Sequence, residues 1–286
     1  MKPVRFDYAR PRDLAGALDL IARQDGLIKI IAGGQSLGPM LNLRLVEPDL
    51  IVDIAGVPAL RAAALDDGRL VLGACITHSD IEDGRVPDVT GGAMARVASA
   101  IAYRAVRNRG TVGGSLAHAD PAADWVTALC ALGADVELAS TEGRRRLRLA
   151  DFIVGALEVA LAPVELLVAV HLPPLSPTAR WGYVKHCRKI GEFAHAIGCV
   201  ALDPAAGTGR AVIGACEAAP IVMEDARPLF AGQIKADFAA RFDERVADAA
   251  LIEAGMTDAI DRHVHVTVLR RAVMQAGGMT VKANAA

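Results

Sequence analysis

The chain has 286 residues, 53% of them apolar and 22% charged, with a formal net charge of −2. That length and apolar content allow two domains with sizeable cores and exclude a disordered chain. The near-zero charge excludes bulk electrostatic attraction to nucleic acid or to an anionic membrane.

The cysteines Cys75, Cys130, Cys187, Cys199 and Cys216 are dispersed and form no Cys-x-x-Cys pair. This argues against a structural zinc or iron–sulfur cluster on this chain and for a reducing compartment. Residues 1–8 contain no apolar h-region, and no apolar stretch approaches the length of a membrane span. The expectation is a cytoplasmic protein with no signal peptide and no transmembrane segment.

Leu14, Ala17, Leu18, Ile21 and Ala22 recur at helical spacing after Pro11, and Gly26 closes that helix. Leu27 to Ala32 reads as a buried strand, followed directly by a glycine pair in Ala32-Gly33-Gly34-Gln35-Ser36. Leu37 to Leu45 forms a short helix or turn and Leu50 to Ile54 a second strand, which makes a small α/β unit. Leu70 to Gly73 is a further strand. Thr77-His78-Ser79-Asp80 has the form of a capping box, and Gly92 to Ala102 reads as a helix. Arg104, Arg107 and Arg109 lead into a second glycine pair, Thr111-Val112-Gly113-Gly114-Ser115.

Pro121 is expected as the first residue of a helix with Trp125, Leu129 and Leu132 on one face. Asp135 to Ala139 and Arg146 to Leu149 form a hairpin around Glu142-Gly143, and Leu166 to Leu172 is a strand closed by Pro173-Pro174. The proline-rich stretch 173–178 marks a domain boundary. Beyond it Tyr183 to Arg188, His195 to Leu202 and Ala211 to Cys216 read as strands. Phe238 to Ala254 and Val264 to Gln275 read as helices, giving an α+β module with an antiparallel sheet.

The chemistry lies in the glycine pairs. Glycines let bare main-chain N–H groups approach phosphate oxygens, and short hydroxyls add donors without bulk. Either loop alone reads as a tight turn; together they read as a clamp on a pyrophosphate. The first is not a Walker A loop, because Pro39 stands where the lysine belongs, and neither has the Rossmann spacing. Ser36 and Ser115 have no evident base nearby in sequence, so neither is supported as a nucleophile.

His118, Asp120 and Asp124 suggest metal ligands, but no fourth ligand is evident, and Asp120 reads better as a helix N-cap. Asp124 is alternatively an acceptor for a ribose hydroxyl or an adenine donor. His263 and His265 face different ways on a helix. Arg144, Arg145, Arg146 and Arg148 read as a solvated hairpin end rather than a contact for an acidic partner. Lys185 lies on a basic strand followed by Gly191-Glu192-Phe193. That stretch is either an ordinary strand and turn or one facing a flavin edge, with Phe193 as an aromatic cover.

Taken together, these residues resemble the FAD-binding medium subunits of molybdenum hydroxylases, a family that includes the flavoprotein subunits of carbon monoxide, quinoline and caffeine dehydrogenases and the flavin domain of xanthine dehydrogenase. The resemblance covers essentially the whole chain. It is carried by Ile31 to Leu37, Arg107 to Ser115, Ala117-His118-Ala119-Asp120-Pro121 and, more weakly, Arg188 to Ala194.

It implies an α+β fold: a PCMH-type FAD-binding domain over 1–176, in two α/β subdomains of about 1–55 and 56–176, and a C-terminal antiparallel-sheet and helix domain over 177–286. It implies FAD contacts from Ile30, Ile31, Ala32, Gly33, Gly34, Gln35, Ser36 and Leu37, and from Thr111, Val112, Gly113, Gly114 and Ser115. Asp124 and Lys185 match cofactor-contacting positions. Ile101 and Val168 match apolar positions that line the flavin or adenine, and Phe193 stands where some relatives carry Tyr. Ser115 replaces a common Asn, Gln35 a His and Glu192 an Asp.

The resemblance implies an electron-relaying subunit without a catalytic residue or metal of its own. Its partners are a large molybdopterin subunit and a small subunit with two [2Fe–2S] clusters, in a dimer of heterotrimers. The alternatives are a stand-alone flavin oxidase or dehydrogenase and a non-enzymatic nucleotide-binding assembly protein.

Overall fold

The first fifty-odd residues build a three-stranded parallel sheet. The structure, a computed structural model, describes residues 2–279 apart from Gln24 and Ile190. Met1, the Ile190 position of the 188–194 stretch and the last residues of the 177–286 unit therefore lie outside the described residues. Strand β1 (Asp7–Ala9), helix α1 (Leu14–Ala22), β2 (Ile28–Ile31), α2 (Leu37–Asn42) and β3 (Leu50–Asp53) follow in order, and the sheet runs β1-β3-β2. Asp13 caps α1 through its side chain, which accepts from the Gly16 N–H at 2.8 Å. The helix ends at Ala22, ahead of Gly26, which occupies the turn into β2 at φ 75°. Ala17, Leu18 and Ile21 bury the inner face of α1 with Val52 and Ile54.

The second region contains β4 (Ala63–Asp66), β5 (Arg69–Gly73), α3 (His78–Glu82), α4 (Ala93–Ala100), α5 (Arg104–Arg107), α6 (Val112–His118) and α7 (Asp124–Ala131). It continues through β6 (Asp135–Ser140), β7 (Gly143–Arg148), α8 (Leu149–Phe152), β8 (Ile153–Gly155), β9 (Glu158–Val159) and β10 (Leu166–Leu172). Its five-stranded sheet, ordered β4-β5-β10-β6-β7, pairs antiparallel throughout. Two-residue turns set the outer pairs: Asp67-Gly68, both at positive φ, joins β4 to β5, and Thr141-Glu142 joins β6 to β7.

The last region contains β11 (Arg180–His186), β12 (Ala196–Asp203), β13 (Thr208–Gly214), β14 (Ile221–Met223), α9 (Glu244–Glu253) and α10 (Ala259–Ala276). Its antiparallel sheet runs β11-β12-β13-β14, one strand more than expected. The helix expected over Phe238 to Ala254 is broken. A 3-10 turn covers Phe238–Arg241, and α9 starts afresh behind Asp243, whose side chain accepts from the Arg245 N–H.

Helix α7 differs most from expectation. Pro121 does not open it: Asp120 accepts from the Ala122 N–H in a turn, and the helix begins at Asp124. Nor does it bury one face only, since every residue from Asp124 to Ala131 is buried. The physical reason is a second layer: α7 packs against β12 and β13 of the last sheet as well as against the helices of its own region. The largest apolar cluster therefore crosses residue 176, joining Leu72, Trp125, Val136 and Val170 to Tyr183, Ile197, Cys199 and Val212. On its other face that sheet carries α10, which meets the backbone at Gly182 and Gly198. Covered on both sides, β12 is buried from Ala196 to Leu202.

Candidate functional site

The first glycine loop leaves the carboxyl end of β2, where a parallel sheet places a ligand. Gly34 has φ 72°, which turns the chain sharply toward α2. Among the described residues, the main-chain N–H groups of Gly33, Gly34, Gln35 and Ser36 reach no acceptor. Ser36, at the N-cap of α2, makes no side-chain capping bond, and both it and Gln35 are exposed. Gln35 folds its amide back to the Gly33 carbonyl at 3.2 Å. Four successive free donors, an unengaged hydroxyl and no carboxylate within 32–36 form a donor set suited to a diphosphate.

The second loop is built differently. Thr111 caps α6, its hydroxyl accepting from the Gly114 N–H at 3.1 Å. Val112 donates to the Ile76 carbonyl at 3.0 Å and Gly113 to the Ala74 carbonyl at 2.9 Å. The expectation that both loops offer bare amides is thus corrected for Val112, Gly113 and Gly114, whose N–H groups are used inside the fold. Thr111, Val112 and Gly113 are buried, Gly114 is exposed and Ser115 half-buried.

The two loops touch. A Cβ on Gly33 would lie 2.2 Å from the Arg109 carbonyl oxygen, so only glycine allows the first loop to seat on the turn before the second. From the other side a Cβ on Gly114 would come within 3.9 Å of the Ala32 Cβ. Beneath this contact His78 donates its main-chain N–H to the Gly110 carbonyl at 2.9 Å. Its Nδ1 accepts from the Trp125 indole at 3.0 Å, which fixes the neutral tautomer. Burial, with repulsion from Arg107, lowers the His78 pKa to about 4. The Thr77–Asp80 capping box is present in both its arms.

The other expected site residues divide. Ile30, Ile31, Ala32 and Leu37 flank the first loop, half-buried. Ile101 ends α4, and its carbonyl accepts from Arg107 at 2.9 Å. Lys185 reaches from β11 to Asp124 Oδ1 and to the Ala100 carbonyl, both at 2.7 Å. The Tyr183 hydroxyl donates to the same Asp124 oxygen, and burial and that carboxylate push its pKa well up. Asp124 Oδ1 is therefore engaged inside the protein and is not a free acceptor for a ribose or adenine. Phe193 is 75% exposed, whereas Val168 is 3% exposed and packs in the core of the first unit with Ile54 and Ala17.

Sequence reasoning missed Arg107, His78 and Trp125; the run of arginines ahead of the second loop was the one available signal. Among the described residues no group of three His, Cys, Asp or Glu side chains is placed to hold a metal. His265 is buried, with its ring nitrogens on the Asp261 and Ala215 carbonyls. No helix among the described residues is long and apolar enough to cross a membrane. A surface cavity of about 760 Å³ between Arg180, Phe238 and Gln275 takes no lining from either glycine loop.

The family model described as the FAD binding domain in molybdopterin dehydrogenase matches residues 4–175. The 6-hydroxypseudooxynicotine dehydrogenase complex subunit alpha of Paenarthrobacter nicotinovorans is 37% identical over 74% of this chain and 73% of its own. The carbon monoxide dehydrogenase medium chain of Afipia carboxidovorans is 32% identical over 96% of this chain and 98% of its own. The solved structure of quinoline 2-oxidoreductase from Pseudomonas putida 86 superposes with a TM-score of 0.83 at 31% identity, covering 97% of this chain and 99% of that one.

Proposed function

The chain belongs to the family of FAD-binding subunits of molybdopterin dehydrogenases, and from that premise we propose that it relays electrons from iron–sulfur clusters, by way of FAD, to an external acceptor. It is a flavoprotein subunit of an oxidoreductase. The redox chemistry is supplied by the FAD when bound; the chain binds, orients and shields it.

In this reading the free N–H groups of Gly33, Gly34, Gln35 and Ser36 take the diphosphate, and Ile30, Ile31, Ala32 and Leu37 shape the pocket around it. Thr111 to Ser115 form the opposing wall, with the Ser115 hydroxyl as a further donor. Ile101 and Phe193 border the ring system. The Lys185–Asp124 ion pair holds the two units together beside it, and Val168 supports the wall from the core. Residues 1–176 are the cofactor-binding unit, in subdomains of about 1–55 and 56–176, and 177–286 is the unit that packs against it. The partners are a large molybdopterin subunit, which hydroxylates substrate with oxygen from water, and a small subunit with two [2Fe–2S] clusters. Two such heterotrimers pair in the cytoplasm. The names of the relatives, a medium chain and a complex subunit, support the multi-subunit reading.

The observation that carries the proposal is the run of unengaged N–H donors on one loop seated by Gly33 on the base of the other. Purified protein is expected to be yellow and to release FAD on denaturation. Gly114→Asp, whose Cβ would meet the Thr111 hydroxyl at 2.8 Å and the Ala32 Cβ at 3.9 Å, is expected to abolish flavin retention by disturbing the α6 cap and placing a carboxylate against phosphate. Full flavin content in that variant would refute the assigned site.

A further inference from the structure

Three consecutive carbonyls at the end of α4 are held by two cations from different parts of the chain. The turn between α4 and α5 places Ala102 at φ 39°, a left-handed conformation that side chains with a Cβ rarely adopt. Lys185 donates from Nζ to the Ala100 carbonyl at 2.7 Å. Arg107 donates from Nη1 to the Ile101 carbonyl at 2.9 Å and to the Ala102 carbonyl at 3.1 Å. The remaining edge of the guanidinium is fixed as well: Nε and Nη2 grip the two oxygens of Glu82 at 2.8 and 3.0 Å. This arginine side chain is only 12% exposed, unlike the solvated arginines around it. On the outer side of the turn Gly191 lies against Tyr103, where a Cβ would come within 2.3 Å of the ring.

Part of this is ordinary helix chemistry, because cations favour the unpaired carbonyls at a helix C-terminus. The Ala102 carbonyl lies beyond the helix and is not explained that way. A backbone held in a sparsely populated conformation persists where its surroundings over-determine it, and such places cluster at ligand clamps. Here the grip comes from both sides of the domain junction, Arg107 from α5 and Lys185 from β11. It fixes the turn on which the stretch ending in the exposed Phe193 rests.

We propose that Arg107 is a positioning residue for the cofactor: with Lys185 it holds the Ala100–Tyr103 turn in its strained shape, and the turn seats the 191–193 stretch along the isoalloxazine end of FAD. The inference rests on the FAD reading above. Its consequence is selective. Loss of the clamp disturbs the flavin end, while the diphosphate, on the first glycine loop, keeps its donors.

The test compares FAD with ADP, both titrated into the purified full-length chain freed of flavin, with the melting temperature of each apoprotein measured alongside. Arg107→Met is expected to weaken FAD about tenfold, the effect of losing hydrogen bonds from a charged donor, and to leave ADP affinity unchanged. Arg107→Lys, whose single ammonium cannot serve Glu82 and two carbonyls together, is expected to show the same selective loss with a smaller fall in melting temperature. Adding Ala102→Gly to Arg107→Met removes the left-handed penalty and is expected to restore part of the FAD affinity. Parallel losses for FAD and ADP, unchanged FAD affinity in both arginine variants, or no rescue by Ala102→Gly would overturn the clamp. A wild-type chain that binds neither ligand would overturn the cofactor reading, and the clamp with it.

Discussion

Ala32–Ser36 and Thr111–Ser115 look alike in sequence, each with adjacent glycines and a short hydroxyl, and they use those glycines for opposite ends. In the first loop the main-chain N–H groups reach no acceptor among the described residues. In the second the glycines let the loop sink into the fold: Gly113 lies against Ala74, where a Cβ would come within 2.4 Å of the alanine Cβ, and its N–H goes to the Ala74 carbonyl. In the proposed reading the first loop offers its main-chain donors to the ligand, whereas the second spends its own on the fold and faces the ligand with its Ser115 hydroxyl. A glycine pair marks close approach of a backbone; whether it approaches a ligand or its own chain is decided by where the N–H groups point.

The sharpest way to break the comparison is a pair of variants with opposite signatures. Gly113→Ala forces a methyl onto backbone and Cβ atoms that cannot yield, and is expected to cost about 3 kcal/mol of apoprotein stability or more. Ser36→Asp changes an exposed residue that caps nothing, so the melting temperature of the apoprotein is expected to hold. The added carboxylate faces the donor set, and FAD affinity is expected to fall by about a hundredfold. Equal effects of the two variants on both measurements would show that the loops share one role.

Much of the scaffold was legible because its signals are local. β10 has the expected bounds and α1 spans the expected apolar residues Leu14 to Ala22, though it stops short of Gly26, since apolar spacing alone specifies them. The β4–β5 hairpin was missed although Asp67-Gly68 announces it. Strand β1 had no such signal: three residues, none fully buried, become a strand only by pairing with β3. The site divides in the same way. The position of both loops was readable from their glycines. The engagement of the Val112 and Gly113 amides was not, because their acceptors, Ile76 and Ala74, lie on a distant stretch. Arg107 was hidden for the same reason, its role being set by Glu82 and by the fold of 101–102.

His78 ties a pH dependence to the second loop. In the folded chain burial keeps the imidazole neutral, its pKa lowered to about 4, whereas the unfolded chain titrates near the ordinary value of about 6.5. Above that value neither state holds the proton and the contribution to stability is complete. As pH falls from there toward 4 the unfolded chain takes up a proton that the folded chain refuses, so stability declines, by on the order of 3 kcal/mol in all. His78→Gln is expected to lower stability at neutral pH and to flatten this slope in denaturant melts between pH 7 and 4. An unchanged slope would assign it to another group.

Thr111→Val gives the smallest and most discriminating effect. The change keeps the shape of the side chain and removes the acceptor of the Gly114 N–H, the helix cap of α6. Loss of such a cap costs about 1 kcal/mol, which melting of the apoprotein would register. If the Thr111 hydroxyl serves the fold alone, FAD affinity should stay level or rise slightly, because the freed Gly114 N–H lies at an exposed position near Ala32 and becomes available to the ligand. A loss of FAD affinity larger than the loss of stability would mean that the threonine hydroxyl itself meets the cofactor, beside that of Ser115.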